Sequence, residues 1–207
     1  MTRSCELELL DSGRLPETVV ERAYRDLTWL HRILGNTGRI VRAIRRDPLP
    51  VRRVLDIGCG YGAVSAEVRD RTRVEVIGID LRPPSHARVE IVQADAVRDL
   101  LPRADVAYSL CLAHHLTETE LAALIVNVGR SCRRLILVDL VRHWLPFGLF
   151  RALVAPFFSR VAAADGAASV RRAYTPAELA RIVDSTGAGY RHSVAPCYAM
   201  QSVDIVY

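Results

Sequence analysis

Residues 54–62 read VLDIGCGYG, a short apolar run, an acid, and then glycines at 58, 60 and 62. Val54, Leu55 and Ile57 suit a buried strand, and the glycines end it in a loop whose backbone a ligand can approach closely. The six residues from Gly58 to Ala63 also satisfy the dinucleotide pattern G-x-G-x-x-[G/A]. On its own that match says only that a ligand could rest on a strand-to-helix turn.

Outward from this loop the chain alternates. Short β-branched runs at 52–57, 74–79, 89–93, 104–109 and 134–139 are separated mostly by helix-compatible stretches. That order predicts a parallel sheet with helices on its faces. A capping-box start at Thr175-Pro176-Ala177-Glu178 predicts a helix to Thr186, ended by Gly187. Beyond it, 189–194 and 200–207 suit a closing antiparallel pair. Upstream, Pro16 to Leu34 and Gly38 to Arg46 read as helices, the second halted at Asp47-Pro48.

Ligands of such sheets sit beyond the carboxyl ends of the strands. There the sequence puts Asp56 with the glycine loop, then Asp80, Asp95, the stretch from Ser109 to His115, and Asp139. Asp56 precedes the loop by two residues and would repel a pyrophosphate, whereas a sulfonium and an ammonium would be attracted. Asp80 can accept from two ribose hydroxyls. Asp95 can accept from an adenine amino group, with the Ala96 amide near the ring. S-adenosylmethionine (SAM) meets these demands better than NAD(P), although an NAD(P)-dependent reductase stays open as an alternative.

The runs VLDIGCGYG, VIGID, IVQAD and DVAYSLCLAHHL resemble the class I SAM-dependent methyltransferases, closely over about residues 51–140. The resemblance implies an α/β, Rossmann-like sheet of seven strands with an N-terminal helical cap. It also implies that Asp56, Gly58, Gly60 and Gly62 form the loop against the methionine part and that Asp80 holds the ribose. Leu81 would pack on the adenine, Asp95 and Ala96 would read its edge, and Ser109 would lie near the methionine moiety. One domain over 1–207 is expected: a cap at 1–48, a cofactor-binding core at 51–140, a substrate cover at 141–175, and a closing helix and hairpin at 176–207.

On the acceptor side, Leu110 to His115 contains no carboxylate, so no metal is expected there. The Asn/Asp-Pro-Pro-aromatic motif common in nucleobase-amine methyltransferases of the family is also absent. His114 and His115 are the candidate catalytic residues, because a neutral imidazole can take a proton from a phenol or enol near neutral pH. The segment from Val141 to Leu179 is long for a crossover and rich in Trp, Phe and Leu. It suits a cover for an aromatic or lipid-like acceptor, or else a homodimer face.

Composition narrows the field further. All 28 basic residues are arginine, which removes any P-loop lysine or Schiff-base lysine from a chain of net charge +5. The group Arg39, Arg42, Arg45, Arg46, Arg52 and Arg53 reads as a solvated helix face and its exit. It is the one feature in favour of an RNA or protein methyltransferase, and a cofactor-binding scaffold without turnover is a further alternative. Five scattered cysteines form no zinc-ligand spacing and, with no apolar leader in the first twenty residues, suggest reduced thiols in the cytoplasm. The most apolar stretch, Trp144 to Phe158, is too short to span a bilayer and is broken by Pro146, Arg151 and Pro156.

Overall fold

The computed structural model describes residues 1–4 and 6–207, so Cys5 lies outside the described residues. Seven strands form one sheet: β1 (Arg53–Ile57), β2 (Glu75–Asp80), β3 (Ile91–Gln93), β4 (Val106–Leu110), β5 (Arg134–Leu140), β6 (Gly189–Val194) and β7 (Met200–Val206). Their order is β3-β2-β1-β4-β5-β7-β6. β1 to β5 are parallel, and β7 runs antiparallel to both β5 and β6. The parallel sheet is the one that the alternating pattern predicted, its seven-stranded Rossmann-like form is the one that the resemblance implied, and the closing pair lies where the sequence placed it.

Both faces are covered, as a parallel sheet requires. Helices α1 (Glu17–Ile33), α2 (Asn36–Arg45) and α3 (Ala63–Thr72) precede α4 (Glu118–Gly129), α5 (Trp144–Leu149), α6 (Arg160–Arg172) and α7 (Pro176–Asp184). The period of two along β1 divides the core. Leu55 and Ile57 pack with Leu121, Leu124 and Ile125 of α4 and Leu179 and Ile182 of α7. Val54 faces the other way, to Ile40, Val41 and Ile44 of α2 and Val68 of α3.

Local chemistry sets the ends of the helices. Thr117 with Glu120, and Thr175 with Glu178, form reciprocal capping boxes at the starts of α4 and α7. Gly35 is in the left-handed conformation before α2, so that helix begins at Asn36, two residues earlier than its sequence pattern predicts.

Because β1 to β5 are parallel, their carboxyl ends share one rim. The N-terminal segment is strapped across it. Ser4 N–H donates to the Arg171 carbonyl at 3.0 Å, and the Leu9 and Leu10 amides donate to Asp165 at 2.7 and 2.9 Å. Arg3 donates to the carbonyls of Arg172 and Leu116 at 2.7 and 2.8 Å, and its guanidinium lies 4.0 Å from the Tyr174 ring centroid. Among the described residues no helix is long and apolar enough to cross a membrane.

Candidate active site

The glycine loop runs from the end of β1 into α3 with Gly58, Gly60 and Gly62 all at positive φ (74°, 52° and 68°). An L-residue is strained there, so glycine is what allows the turn. Its anchor is Asp80 at the end of β2: Oδ2 accepts from the Gly60 N–H at 2.8 Å and Oδ1 from the Arg82 N–H at 2.9 Å. A carboxylate oxygen can take two such bonds, which leaves acceptor capacity for ribose hydroxyls. Leu81 follows with its side chain 57% exposed, as a stacking platform would be.

Asp95 comes one residue after a backbone bond from Ala94 to β2. Its Oδ1 accepts from the Val97 N–H at 2.9 Å, while its own N–H is bound by Asp99 at 2.7 Å. The Ala96 carbonyl is held by Asn127 of α4 at 3.0 Å. Ser109 is buried in β4 between Ile57 and Leu137.

Asp56 sits differently from its sequence expectation. Its side chain turns to the α2/α3 face, 3% exposed, and Oδ2 accepts from the hydroxyls of Ser65 (2.6 Å) and Tyr108 (2.7 Å). Burial pushes its carboxyl up to about 6, against the lowering effect of those two hydroxyls. The acid lies behind the loop, where it pins α3 and β4, so close-range repulsion of a pyrophosphate loses much of its weight as the feature that selects the ligand.

Tyr24 of α1, which carries no motif, also lies against the loop. A Cβ added at Gly60 would come within 3.0 Å of its ring, which packs on Tyr61 with centroids 4.8 Å apart. Burial, followed by the charges of Asp80 and Asp11, pushes its hydroxyl up to about 12. The phenol therefore stays protonated, a hydrogen-bond donor above the loop.

After β4 the chain passes Cys111, a non-glycine residue at φ 56°, and enters a 3-10 turn at Ala113–His115. Here six charged or titratable groups converge. His114 is 2% exposed; Nδ1 lies 2.7 Å from Asp139 Oδ1, its backbone N–H donates to Asp139 Oδ2 at 3.0 Å, and Nε2 is 3.4 Å from Glu8 Oε1. Burial opposes charge on this ring, but Asp139 and Glu8 outweigh it and raise its pKa to about 9. The same contacts hold Glu8 and Asp139 below the usual carboxylate range despite their burial.

His115 is more open, with a side chain 24% exposed. Its Nδ1 is 3.0 Å from Asp11 Oδ2 and its Nε2 3.7 Å from Glu8 Oε2. Arg172 completes the cluster, with Nη1 3.5 Å from Asp11 and 3.8 Å from Glu8. Glu8, Asp11 and Arg172 could not be found from the sequence, since they lie far from the glycine loop and carry no motif.

The cover segment supplies α5 and α6, joined by a π-helical turn and a 3-10 turn. Phe150 is buried against Gly166 and meets Phe158 edge-on at 6.2 Å. Trp144 and Phe157 of this segment remain 69% and 81% exposed.

Residues 54–134 match the family model described as a methyltransferase domain. The fold is that of the class I methyltransferases. Solved methyltransferase structures align with it over nearly the whole chain. The plantazolicin methyltransferase BpumL in complex with SAH aligns with a TM-score of 0.71 at 13% identity, covering 95% of this chain and 92% of that one. BamL, another plantazolicin methyltransferase, gives 0.68 at 17% identity with 92% and 91% covered. Magnesium protoporphyrin IX methyltransferase from Synechocystis PCC 6803 with bound SAM gives 0.56 at 16% identity, covering 96% and 88%. No curated protein is similar enough in sequence to match.

These neighbours were solved with SAH or, in the Synechocystis enzyme, with SAM. The residues present here fit SAM: a loop with three left-handed glycines, an anchored carboxylate with acceptor capacity left, and an exposed apolar side chain beside that carboxylate.

Proposed function

We propose that this protein is a SAM-dependent methyltransferase that transfers a methyl group to an oxygen of a small lipophilic acceptor, a hydroxyl of a phenolic, quinone-like or polyketide-like compound. The observation that carries this reading is His115, a partly exposed imidazole at the end of β4 whose Nδ1 is held by Asp11 at 3.0 Å. A carboxylate has no proton to give, so the Nδ1 proton points at Asp11 and the lone pair resides on Nε2. SAM supplies an electrophilic methyl on a sulfonium. His115 Nε2 would take the proton of the acceptor hydroxyl as its oxygen becomes the nucleophile toward that methyl. His114, enclosed between Asp139 and Glu8, serves as a positioning residue for the turn.

On the cofactor side, Asp80 would hold the ribose, Leu81 the adenine face, Asp95 and Ala96 the adenine edge, and Gly58, Gly60, Gly62 and Ser109 the methionine part. Asp56 supports that loop from behind. The apolar surface of Trp144 and Phe157 suits an acceptor without charge. Relatives in fold named for plantazolicin and magnesium protoporphyrin IX are consistent with an organic acceptor of this kind.

The test is transfer of labelled methyl to a panel of phenols, hydroxyquinones and polyketide-type hydroxyls, run beside tRNA, rRNA fragments and a protein extract. Label entering a small hydroxyl compound supports the reading. Label entering RNA or protein alone, or binding of NADH without SAM, overturns it.

A further inference from the structure

Glu8, His114 and His115 stand as a set of three donors outside the glycine-loop site, with one ligand atom from each residue and all of these atoms within 4.8 Å of one another. Asp139 and Asp11 hold the Nδ1 atoms of the two rings at 2.7 and 3.0 Å. Both carboxylates can only accept, so each ring gives its Nδ1 proton away from the cluster and turns Nε2 toward Glu8. Two imidazole lone pairs and a carboxylate then face one another at 3.4 and 3.7 Å. That arrangement repels unless a positive species sits between the donors, either a proton on each ring or a single cation shared by all three.

We propose that Glu8, His114 and His115 form a two-histidine, one-carboxylate site for a divalent transition-metal ion of the zinc class, which clasps the N-terminal strap to the end of β4. Metal–nitrogen and metal–oxygen bonds of about 2.0–2.1 Å in a tetrahedral site put neighbouring donors roughly 3.3 Å apart; here the three donor atoms lie within 4.8 Å of one another, so the side chains would draw together on the ion. The surroundings have the form of a supporting shell. A histidine ligand almost always donates its second nitrogen to a carboxylate, carbonyl or water, and both rings here do so. Glu8 is oriented in turn by the Ser169 hydroxyl, which donates to Oε1 at 2.8 Å.

Charge points the same way. The cluster has three carboxylates (Glu8, Asp11 and Asp139) and one guanidinium within 4 Å of Glu8 and Asp11 (Arg172), so once a metal has displaced any ring protons its own charge is 1 − 3 = −2. One divalent ion balances that charge. Access is open on the side of His115 and Asp11, whose side chains are 24% and 40% exposed, leaving a fourth coordination position to water.

The sequence led to the opposite expectation, no metal, because the stretch after β4 lacks a carboxylate. The fold brings that carboxylate from residue 8. The site also shares His115 Nε2 with the proposed deprotonation of the acceptor, so an ion bound there should suppress any transfer that relies on that lone pair.

The experiment uses the full chain, stripped with chelator and dialysed. Zn²⁺ is titrated by calorimetry, and Co²⁺ is followed by its visible absorption. Expected are one ion per chain, a cobalt spectrum of nitrogen and oxygen ligands without a thiolate band, and a rise in melting temperature with metal. Glu8→Gln and His115→Ala should abolish stoichiometric binding. Asp11→Asn should weaken it by about ten- to hundredfold as a supporting carboxylate, and His143→Ala should leave it unchanged. Circular dichroism verifies that each variant is folded. No stoichiometric ion in the parent, a thiolate cobalt band, or affinity unaffected by Glu8→Gln overturns the site. Binding is read without turnover, so a failed acceptor screen with intact metal binding would count against the methyl-transfer reading alone, and the reverse result against the metal site alone.

Discussion

Asp80 and His114 sit on the same rim of the sheet, and both are fixed by short hydrogen bonds, yet their partners come from different distances along the chain. Asp80 binds Gly60 and Arg82, 20 and 2 residues away. His114 binds Asp139, 25 residues ahead, and faces Glu8 on the N-terminal strap. The side proposed for the cofactor is thus a local device, one strand–loop–helix unit and the acid that ends the next strand. The side proposed for the acceptor is assembled from β4, β5, α6 and the strap, and it concentrates buried charge. Damage to the first should show in cofactor affinity, and damage to the second in stability and turnover.

The largest effect is expected at Asp139. Replacing it by Ala leaves His114 buried with only Glu8 as a partner, and breaking a buried charge pair typically costs roughly 3–5 kcal/mol. Urea denaturation should record that loss, while SAM affinity of the folded fraction stays within about threefold. A variant as stable as the parent would mean that the cluster is not charged, and the contrast between the two sides would fail.

Asp56 tests whether the acid behind the glycine loop is also a burden on stability. Its folded carboxyl is raised to about 6 from an ordinary 3.8, so between those values the folded protein holds more protons than the unfolded one. Stability contributed here therefore falls as pH rises from about 4 to about 6, by up to about 3 kcal/mol. Asp56→Asn keeps an acceptor for Ser65 and Tyr108 but cannot titrate. Denaturation at pH 4, 5, 6 and 7 should show the variant gaining on the parent across that window. His31, held down to about 4 by burial, slopes the other way in both proteins and cancels in the difference. A constant gap between parent and variant would show that Asp56 ionises normally.

His115 tests the chemistry. In metal-free protein, His115→Ala should lower turnover by about a hundredfold if the ring is the base. Cofactor affinity should change by less than about threefold, because no cofactor contact is removed. Near-parental turnover would leave the reaction to alignment of acceptor, methyl and sulfur alone.

The same contrast explains what could be read from the sequence. The strand and helix pattern was legible because burial on both faces of a parallel sheet leaves apolar runs at each strand, and capping boxes mark the helix starts. Asp80 and Asp95 were legible because their place in the chain fixes their place on the rim. Asp56 was located correctly along β1, but the period of two, applied to Val54 and Leu55, already puts it on the α2/α3 face. Glu8, Asp11 and Tyr24 were not legible. They reach the rim through the path of the N-terminal segment, which the backbone bonds of Ser4, Leu9 and Leu10 to α6 determine, and no local pattern encodes those bonds. The two histidines stood out, but nothing nearby in sequence told that one would be enclosed and the other left partly open.

The smallest of these effects, and the one that probes the local side, is at Asp80. Asp80→Ala removes the acceptor expected for two ribose hydroxyls and also frees the Gly60 and Arg82 amides that the carboxylate now holds. Two lost hydrogen bonds should cost about 1.5–3 kcal/mol of binding, or roughly tenfold to a hundredfold in affinity for SAM and its demethylated product. The freed amides lie at the loop surface, where water can replace the carboxylate, so stability should fall by less than about 1 kcal/mol. Calorimetric titration of both ligands, beside a urea curve, reads the two quantities separately. Asp80→Asn sharpens the result: it retains one acceptor oxygen and should recover part of the affinity. If Asp80→Ala instead unfolds the protein while binding per folded molecule is unchanged, Asp80 is a buttress of the glycine loop. The ribose would then have to be held by another group, and the two sides of the rim would be alike in carrying structure first.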